Sequence, residues 1–289
     1  MDSVLVLIAA PGSGAITADV VQALRDFGAT PPRWLAPAEA CEVAPFTRHA
    51  EFCTFLKTCP IDAAFVGLAN RRKRVLIADM DSTMIQQECI DELGVVAGMG
   101  DHIKAVTAKA MRGELDFEAA LRERVALLKG LPASVVGQVL NERIQLMPGG
   151  KVLLRTMKAN GAYAALVSGG FTSFTGPIAA ELGFDENRAN VLDIAKDKLT
   201  GRVIPPILGK EAKVEALHQI CMRFGLSSEQ VLAVGDGAND IPMLLAAGIG
   251  VALHAKPKVQ EQARFVINHG DLTALLYLQG YSQTEFVHI

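Results

Sequence analysis

Four short apolar runs stand out along the chain: Val75-Leu76-Ile77-Ala78, Ala164 to Val167, Val231 to Val234 and Ile249 to Leu253. Each is too short for a helix, and each is followed by apolar positions at helical spacing. Continuous apolar runs between helices are the pattern of parallel strands covered on both faces. Their alternation with helices predicts an α/β fold with a doubly wound parallel sheet. Ligands of such sheets bind at the carboxyl ends of the strands. Three of the four runs end in polar or glycine-rich segments, as a site there requires.

About 80 residues separate the first run from the second, and most of them read as helix: Gln86 to Ala97, His102 to Met111, Phe117 to Leu128 and Ala133 to Ile144. Asp116 and Ser134 stand where a side chain caps a helix start. A crossover between parallel strands needs only one helix, so residues 86–145 are expected to form an inserted helical cap. Residues 1–72 carry weaker signals. Val4 to Ile8 predicts a strand and Ile16 to Phe27 an amphipathic helix, while Pro31, Pro32 and Pro37 argue against a strand between them. This part is expected to be a small α+β domain, with the main domain at 73–289.

Composition narrows the classes. With 289 residues, 50% hydrophobic and 20% charged, the chain can bury a large core. A formal net charge of -3 and the absence of a dominant basic face argue against a nucleic-acid partner. The run Arg71-Arg72-Lys73-Arg74 reads as a solvated link ahead of a buried strand. Five cysteines without CxxC spacing suggest reduced thiols in a cytoplasmic protein. The apolar start ends at Pro11-Gly12, too soon for a membrane span, and reads as a strand and not as a signal peptide.

The chemistry sits at the ends of the runs. Asp79-Met80-Asp81-Ser82-Thr83 places two carboxylates one residue apart at a strand end, where burial without a partner is costly. A hard divalent cation relieves that cost. Asp79 is also a candidate nucleophile toward phosphorus, and Asp81 a candidate acid and base. Gly235-Asp236-Gly237-Ala238-Asn239-Asp240 brings more carboxylates, with Asp236 as a further ligand for magnesium. Ser168-Gly169-Gly170 offers a hydroxyl and backbone N–H groups to phosphate oxygens, and Lys213 offers a charge to balance them. Each motif alone also has an ordinary explanation as a turn or a solvated charge. Their conjunction matches what phosphoryl transfer needs.

In this order the residues resemble the haloacid dehalogenase superfamily of aspartate-nucleophile phosphatases. Asp79 to Thr83 is similar to its DxDxT motif, Ser168 to its second, Lys213 to its third and Gly235 to Asp240 to its fourth, over about residues 74–270. The runs Asp79 to Gly94, Val167 to Phe171 and Val234 to Asp240 narrow the resemblance to members that hydrolyse phosphoserine, the last step of serine biosynthesis. That resemblance implies an aspartyl phosphate on Asp79 and Mg2+ held by Asp79, the backbone carbonyl of Asp81, and Asp236. It implies that Ser168, Gly169 and Lys213 steady the phosphoryl group, and that Asn239 orients a phosphate oxygen or the metal site. Glu88 and Arg124 then hold the amino and carboxylate groups of the substrate, while Met111 and Phe117 close the cap. Some bacterial members carry an N-terminal ACT-like module, but the proline-rich middle of residues 1–72 departs from a clear βαββαβ alternation. A phosphatase or phosphotransferase for another small molecule, such as phosphohomoserine, shares the core residues. A non-catalytic amino-acid-binding regulator is the remote alternative. The sequence is compatible with a homodimer and leaves the oligomeric state open.

Overall fold

A computed structural model describes residues 3–111 and 114–288, with the side chains of 110 and 111 excepted. The first part of the chain runs β1 (Ser3–Ala9), α1 (Ala18–Asp26), β2 (Arg33–Ala36), β3 (Ala40–Val43), α2 (His49–Leu56) and β4 (Ile61–Gly67). Then come β5 (Val75–Ala78) and the inserted helices α3 (Cys89–Val96), α4 (Gly100–Met111), α5 (Phe117–Ala126) and α6 (Val135–Glu142). After α7 (Gly150–Ala159) follow β6 (Tyr163–Phe171), α8 (Thr172–Leu182), β7 (Glu186–Ala195), β8 (Lys198–Ile204) and α9 (Lys210–Phe224). The chain closes with β9 (Val231–Gly235), α10 (Ile241–Ala246), β10 (Ile249–Leu253), α11 (Pro257–Gln260), β11 (Phe265–Ile267) and α12 (Ala274–Leu278). These elements form two compact units. One comprises Met1–Ile77, Pro148–Ala164 and Leu217–Ile289, and the other Ala78–Met147 and Ala165–Ala216.

The first unit contains an antiparallel sheet in the order β2-β3-β1-β4 and strands in the order β11-β10-β9-β5, with β10 parallel to both β11 and β9. The βαββαβ order of residues 3–67 corrects the expectation drawn from the prolines. β2 does form, directly after Pro31-Pro32 and directly before Pro37, because it is an edge strand and prolines interrupt no ladder there. Leu5, Leu7 and Ala9 of β1 face a core completed by Val20, Leu24, Phe52 and Leu56 of the two helices. The intervening Val6 and Ile8 are buried as well, with α12 packed against β1 and β11 against β4. With both faces covered, β1 reads as a continuous apolar run instead of an alternating one.

Charged side chains join these parts of the first unit. Asp62, buried in β4, accepts the backbone N–H groups of Asn268, His269 and Gly270 at 2.8, 2.9 and 2.9 Å. The basic run is not a solvated link at two of its four positions. Arg71 is buried and donates to Glu42 at 2.7 Å and to the carbonyls of Leu278 at 2.8 Å and Tyr277 at 3.2 Å. Lys73 is buried and donates to the carbonyls of Asn70 and Glu229, both at 2.7 Å. The Tyr277 carbonyl also accepts the Gly280 N–H at 2.9 Å, while turns and helix ends leave carbonyls such as that of Leu278 to be satisfied by a long cation. Arg72 behaves as expected, half-exposed against Glu285 and over the Tyr281 ring.

In the second unit β6 and β7 are parallel, and β8 adds antiparallel to β7 at the edge. The inserted helices pack on one another, α3 against α4 and α6, and α5 against β8. Asp116 caps α5 as expected, accepting the N–H of Ala119 at 2.7 Å. Ser134 does not cap α6: it already has helical dihedrals, and its hydroxyl takes no cap bond. The first inserted helix starts at Cys89 and not at Gln86. Residues 84–87 are engaged instead with the returning chain, through an Ile85–Leu146 bridge and the bonds Gln86 N–H to Gln145 carbonyl and Met147 N–H to Met84 carbonyl, each 2.9 Å. Among the described residues no helix is long and apolar enough to cross a membrane.

Arg71→Ala removes three hydrogen bonds and leaves buried acceptors behind, so it is expected to lower unfolding stability by about 3 kcal/mol. Arg72→Ala is expected to cost under about 1 kcal/mol. Urea denaturation of the two variants checks this ranking; equal midpoints would refute the structural role of Arg71.

Candidate active site

β5 is buried along its length and delivers Asp79 just past its last residue. The carboxylate is itself buried, and its Oδ1 accepts the N–H of Met80 at 2.8 Å. Lys213, in the first turn of α9 and only 2% exposed, places Nζ 2.8 Å from the same oxygen. Neither charge would be tolerated there alone, so the two are bound to each other by desolvation as much as by attraction.

Asp81 follows two residues on in a different environment. Its Oδ1 accepts the backbone N–H of Cys89 at 2.9 Å. Loss of hydration, then the neighbouring Glu88 carboxylate, push its pKa up from 3.8 to about 7, against the opposing pull of Cys89 and Lys213. Ser82 between them has a positive φ of 52°, a conformation costly for a non-glycine residue. Its hydroxyl donates to Glu88 Oε1 at 2.8 Å.

β6 ends in the third component. Ser168 is buried, and its Oγ accepts the N–H of Gly170 at 2.9 Å. A methyl group on Gly170 would lie 3.0 Å from Asp81 Oδ2, and one on Gly169 would lie 3.0 Å from Cζ of Phe117. Both positions are tight for a Cβ, because an acid and an aromatic ring approach the backbone there. The second unit thus brings Asp79, Asp81, Ser168, Gly169, Lys213 and Phe117 together.

Arg124, half-buried on α5, spends only its Nε on the protein, donating to the Ala120 carbonyl at 3.2 Å. Its terminal guanidinium nitrogens make no hydrogen bond among the described residues. Loss of hydration lowers its pKa, while Asp91, Glu88 and Asp81 act to raise it. Met111 ends α4, but its side chain lies outside the described residues.

The first unit holds the remaining predicted residues. Asp236 is buried immediately after β9, and Asn239 is half-buried in the turn that follows. Asp240 closes the same motif. It is fully buried, and its Oδ2 accepts the N–H of Gly237 at 2.9 Å. A side chain at Gly235 would overlap Asp240. The signal for it in the sequence was the second acid of the motif, which a turn explains equally well until burial is known.

A buried aspartate paired with a buried lysine at the end of a sheet strand is an arrangement that suits phosphoryl transfer. Residues 76–245 match the haloacid dehalogenase-like hydrolase family, and the chain belongs to that family. It is 46% identical over 227 residues to a phosphoserine phosphatase of Streptomyces coelicolor, covering 78% of this chain and 55% of that protein. It is 44% identical over 231 residues to a phosphoserine phosphatase of Haemophilus influenzae, covering 79% of this chain and 73% of that one. A solved phospho-aspartyl intermediate analogue of phosphoserine phosphatase superposes with a TM-score of 0.67 at 40% identity, covering 71% of this chain and 98% of the other. The chain spans about half the length of the Streptomyces relative.

Because the Glu88 charge is the second cause of the raised Asp81 pKa, Glu88→Gln is expected to move the Asp81 midpoint down from about 7. Carbon-13 NMR titration of the carboxyl group in metal-free protein checks this. An unmoved midpoint would leave dehydration as the sole cause.

Proposed function

We propose that this chain is a phosphoserine phosphatase, hydrolysing O-phospho-L-serine to L-serine and phosphate through an aspartyl phosphate on Asp79. The observation that carries this reading is the buried Lys213–Asp79 pair at 2.8 Å, with the neighbouring Asp81 set against Gly170 of the Ser168-Gly169-Gly170 turn. Lys213 offsets the charge of Asp79 and of an incoming phosphoryl group. In the first step an Asp79 oxygen bonds to phosphorus and the bond from phosphorus to the serine oxygen breaks. Asp81, poised to carry a proton at neutral pH, gives it to that leaving oxygen. In the second step Asp81 takes a proton from water as the water oxygen attacks phosphorus, releasing phosphate and restoring Asp79. Ser168, Gly169 and Lys213 hold the phosphoryl oxygens in both steps, and Asn239 orients a phosphate oxygen or the metal site.

Asp79, Asp236 and Asp240 are buried carboxylates, a hard oxygen donor set that fits Mg2+. We assign Asp79, the backbone carbonyl of Asp81, and Asp236 as its ligands. When bound, the ion neutralises phosphoryl charge.

The end of Arg124, which makes no hydrogen bond among the described residues, supports a substrate carboxylate, which a guanidinium grips by two parallel bonds. Glu88 supplies the anion for the substrate amino group, and Phe117, against Gly169, closes over it, with Met111 in the same role. The relatives named phosphoserine phosphatase support the same substrate. The βαββαβ order of residues 1–72 supports an ACT-like domain ahead of a phosphatase core at 73–289 with its cap at about 86–145. Five free cysteines support a cytoplasmic setting.

A panel of phosphomonoesters with and without magnesium tests the reading. Phosphoserine is expected to give a higher kcat/KM than phosphothreonine or phosphohomoserine, chelation to remove turnover, and Asp79→Asn to abolish it. Arg124→Ala is expected to lower kcat/KM for phosphoserine about 100-fold while changing p-nitrophenyl phosphate by under about threefold. Equal losses on both substrates would sink Arg124 as the carboxylate clamp, and better turnover of phosphohomoserine would reassign the substrate.

A further inference from the structure

β6 leaves its ladder at the residues that would receive a phosphoryl group. Its pairing with β7 runs through Val167↔Arg188 and resumes at Phe171↔Asn190. Four steps on β6 therefore oppose two on β7, and Ser168-Gly169-Gly170 bulge out of register. A bulge strips backbone groups of their strand partners, and buried ones must be satisfied otherwise.

Asn190 of β7 does this for Gly169. The side chain is 1% exposed, and its Nδ2 donates to the Gly169 carbonyl at 2.8 Å. The same nitrogen donates to the Leu208 carbonyl at 3.3 Å, and Oδ1 accepts the Leu208 N–H at 2.8 Å. A flipped amide would set its oxygen against two carbonyls, so the network fixes its orientation. Leu208 lies two residues before α9, whose first turn carries Lys213. One buried amide thus ties the Ser168–Gly170 bulge to the start of the helix that presents the lysine.

We infer that Asn190 is a positioning residue for phosphoryl transfer, fixing the spacing between the Ser168–Gly170 donors and the Lys213 ammonium. The inference rests on the phosphatase reading above, but not on phosphoserine as the substrate. Both amide hydrogens of Asn190 are committed to carbonyls, so it acts through the groups it holds and not on the substrate. Phosphoryl transfer depends on donors already in place when charge moves, and a displacement of about 1 Å costs about 100-fold in rate.

The test compares Asn190→Leu and Asn190→Ser with a control, Thr175→Val. Thr175 is also fully buried, and its hydroxyl donates to Asn187 of β7 at 2.8 Å, away from the bulge. kcat and KM are measured separately for phosphoserine and p-nitrophenyl phosphate, together with thermal midpoints. Asn190→Leu is expected to lower kcat about 100-fold on both substrates with KM within about threefold, because the lost interactions matter in the transition state. Thr175→Val is expected to keep kcat within about threefold of the wild type. Should Asn190→Leu not fold, Asn190→Ser carries the test, with a hydroxyl donor retained and a kcat loss of about tenfold at unchanged KM. A kcat loss in the control equal to that of the Asn190 variants, or a loss confined to KM, overturns the inference. A wild type that hydrolyses p-nitrophenyl phosphate but not phosphoserine refutes the substrate and leaves this test readable on the former. A wild type inert to both refutes the phosphatase reading itself.

Discussion

The second unit is organised around one buried ion pair, Lys213 with Asp79 at 2.8 Å. Removing both charges from water is unfavourable unless each meets the other in good geometry and the leftover lone pairs are bonded. The structure meets these terms with the Met80 N–H on the same carboxylate oxygen. The start of α9 and the end of β5 are therefore held to one another electrostatically. Loss of either side chain takes a buried counter-charge from the other.

The two acids of the DxD segment are separated by environment and not by residue type. Asp79 faces a lysine, whereas Asp81 is bonded by the backbone of Cys89 with the Glu88 carboxylate nearby. Asp81 holds its proton to about pH 7. The strained Ser82 and the glycines at 169 and 170 are the backbone conditions for bringing these groups so close.

Buried charge plays a structural part in the first unit. Asp62, Arg71 and Lys73 bond backbone groups, and Arg71 also pairs with the partly buried Glu42. They join the four-stranded sheet and its following link to the last segments of the chain. An apolar contact would have excluded water equally well, but it would have left those N–H and C=O groups unsatisfied.

Much of this was legible in the sequence. The strands β5, β6, β9 and β10 announced themselves as apolar runs, because burial on both faces leaves no room for alternation, and the motifs at their ends marked the site residues. The strand β2 was hidden by its prolines, which are tolerated only because it lies at an edge. The basic run looked solvated because sequence does not tell which carbonyls will be orphaned near Arg71 and Lys73. Asn190 gave no signal at all, since an asparagine in a strand acquires a purpose only when the neighbouring strand bulges. The sequence by itself determined which acids, hydroxyl and lysine are available and that strand ends would present them. Tertiary structure alone decided which of them are dehydrated and paired. Desolvation depends on neighbours distant in the chain, and it separates Asp79 from Asp81 and a buried Lys213 from a solvated one.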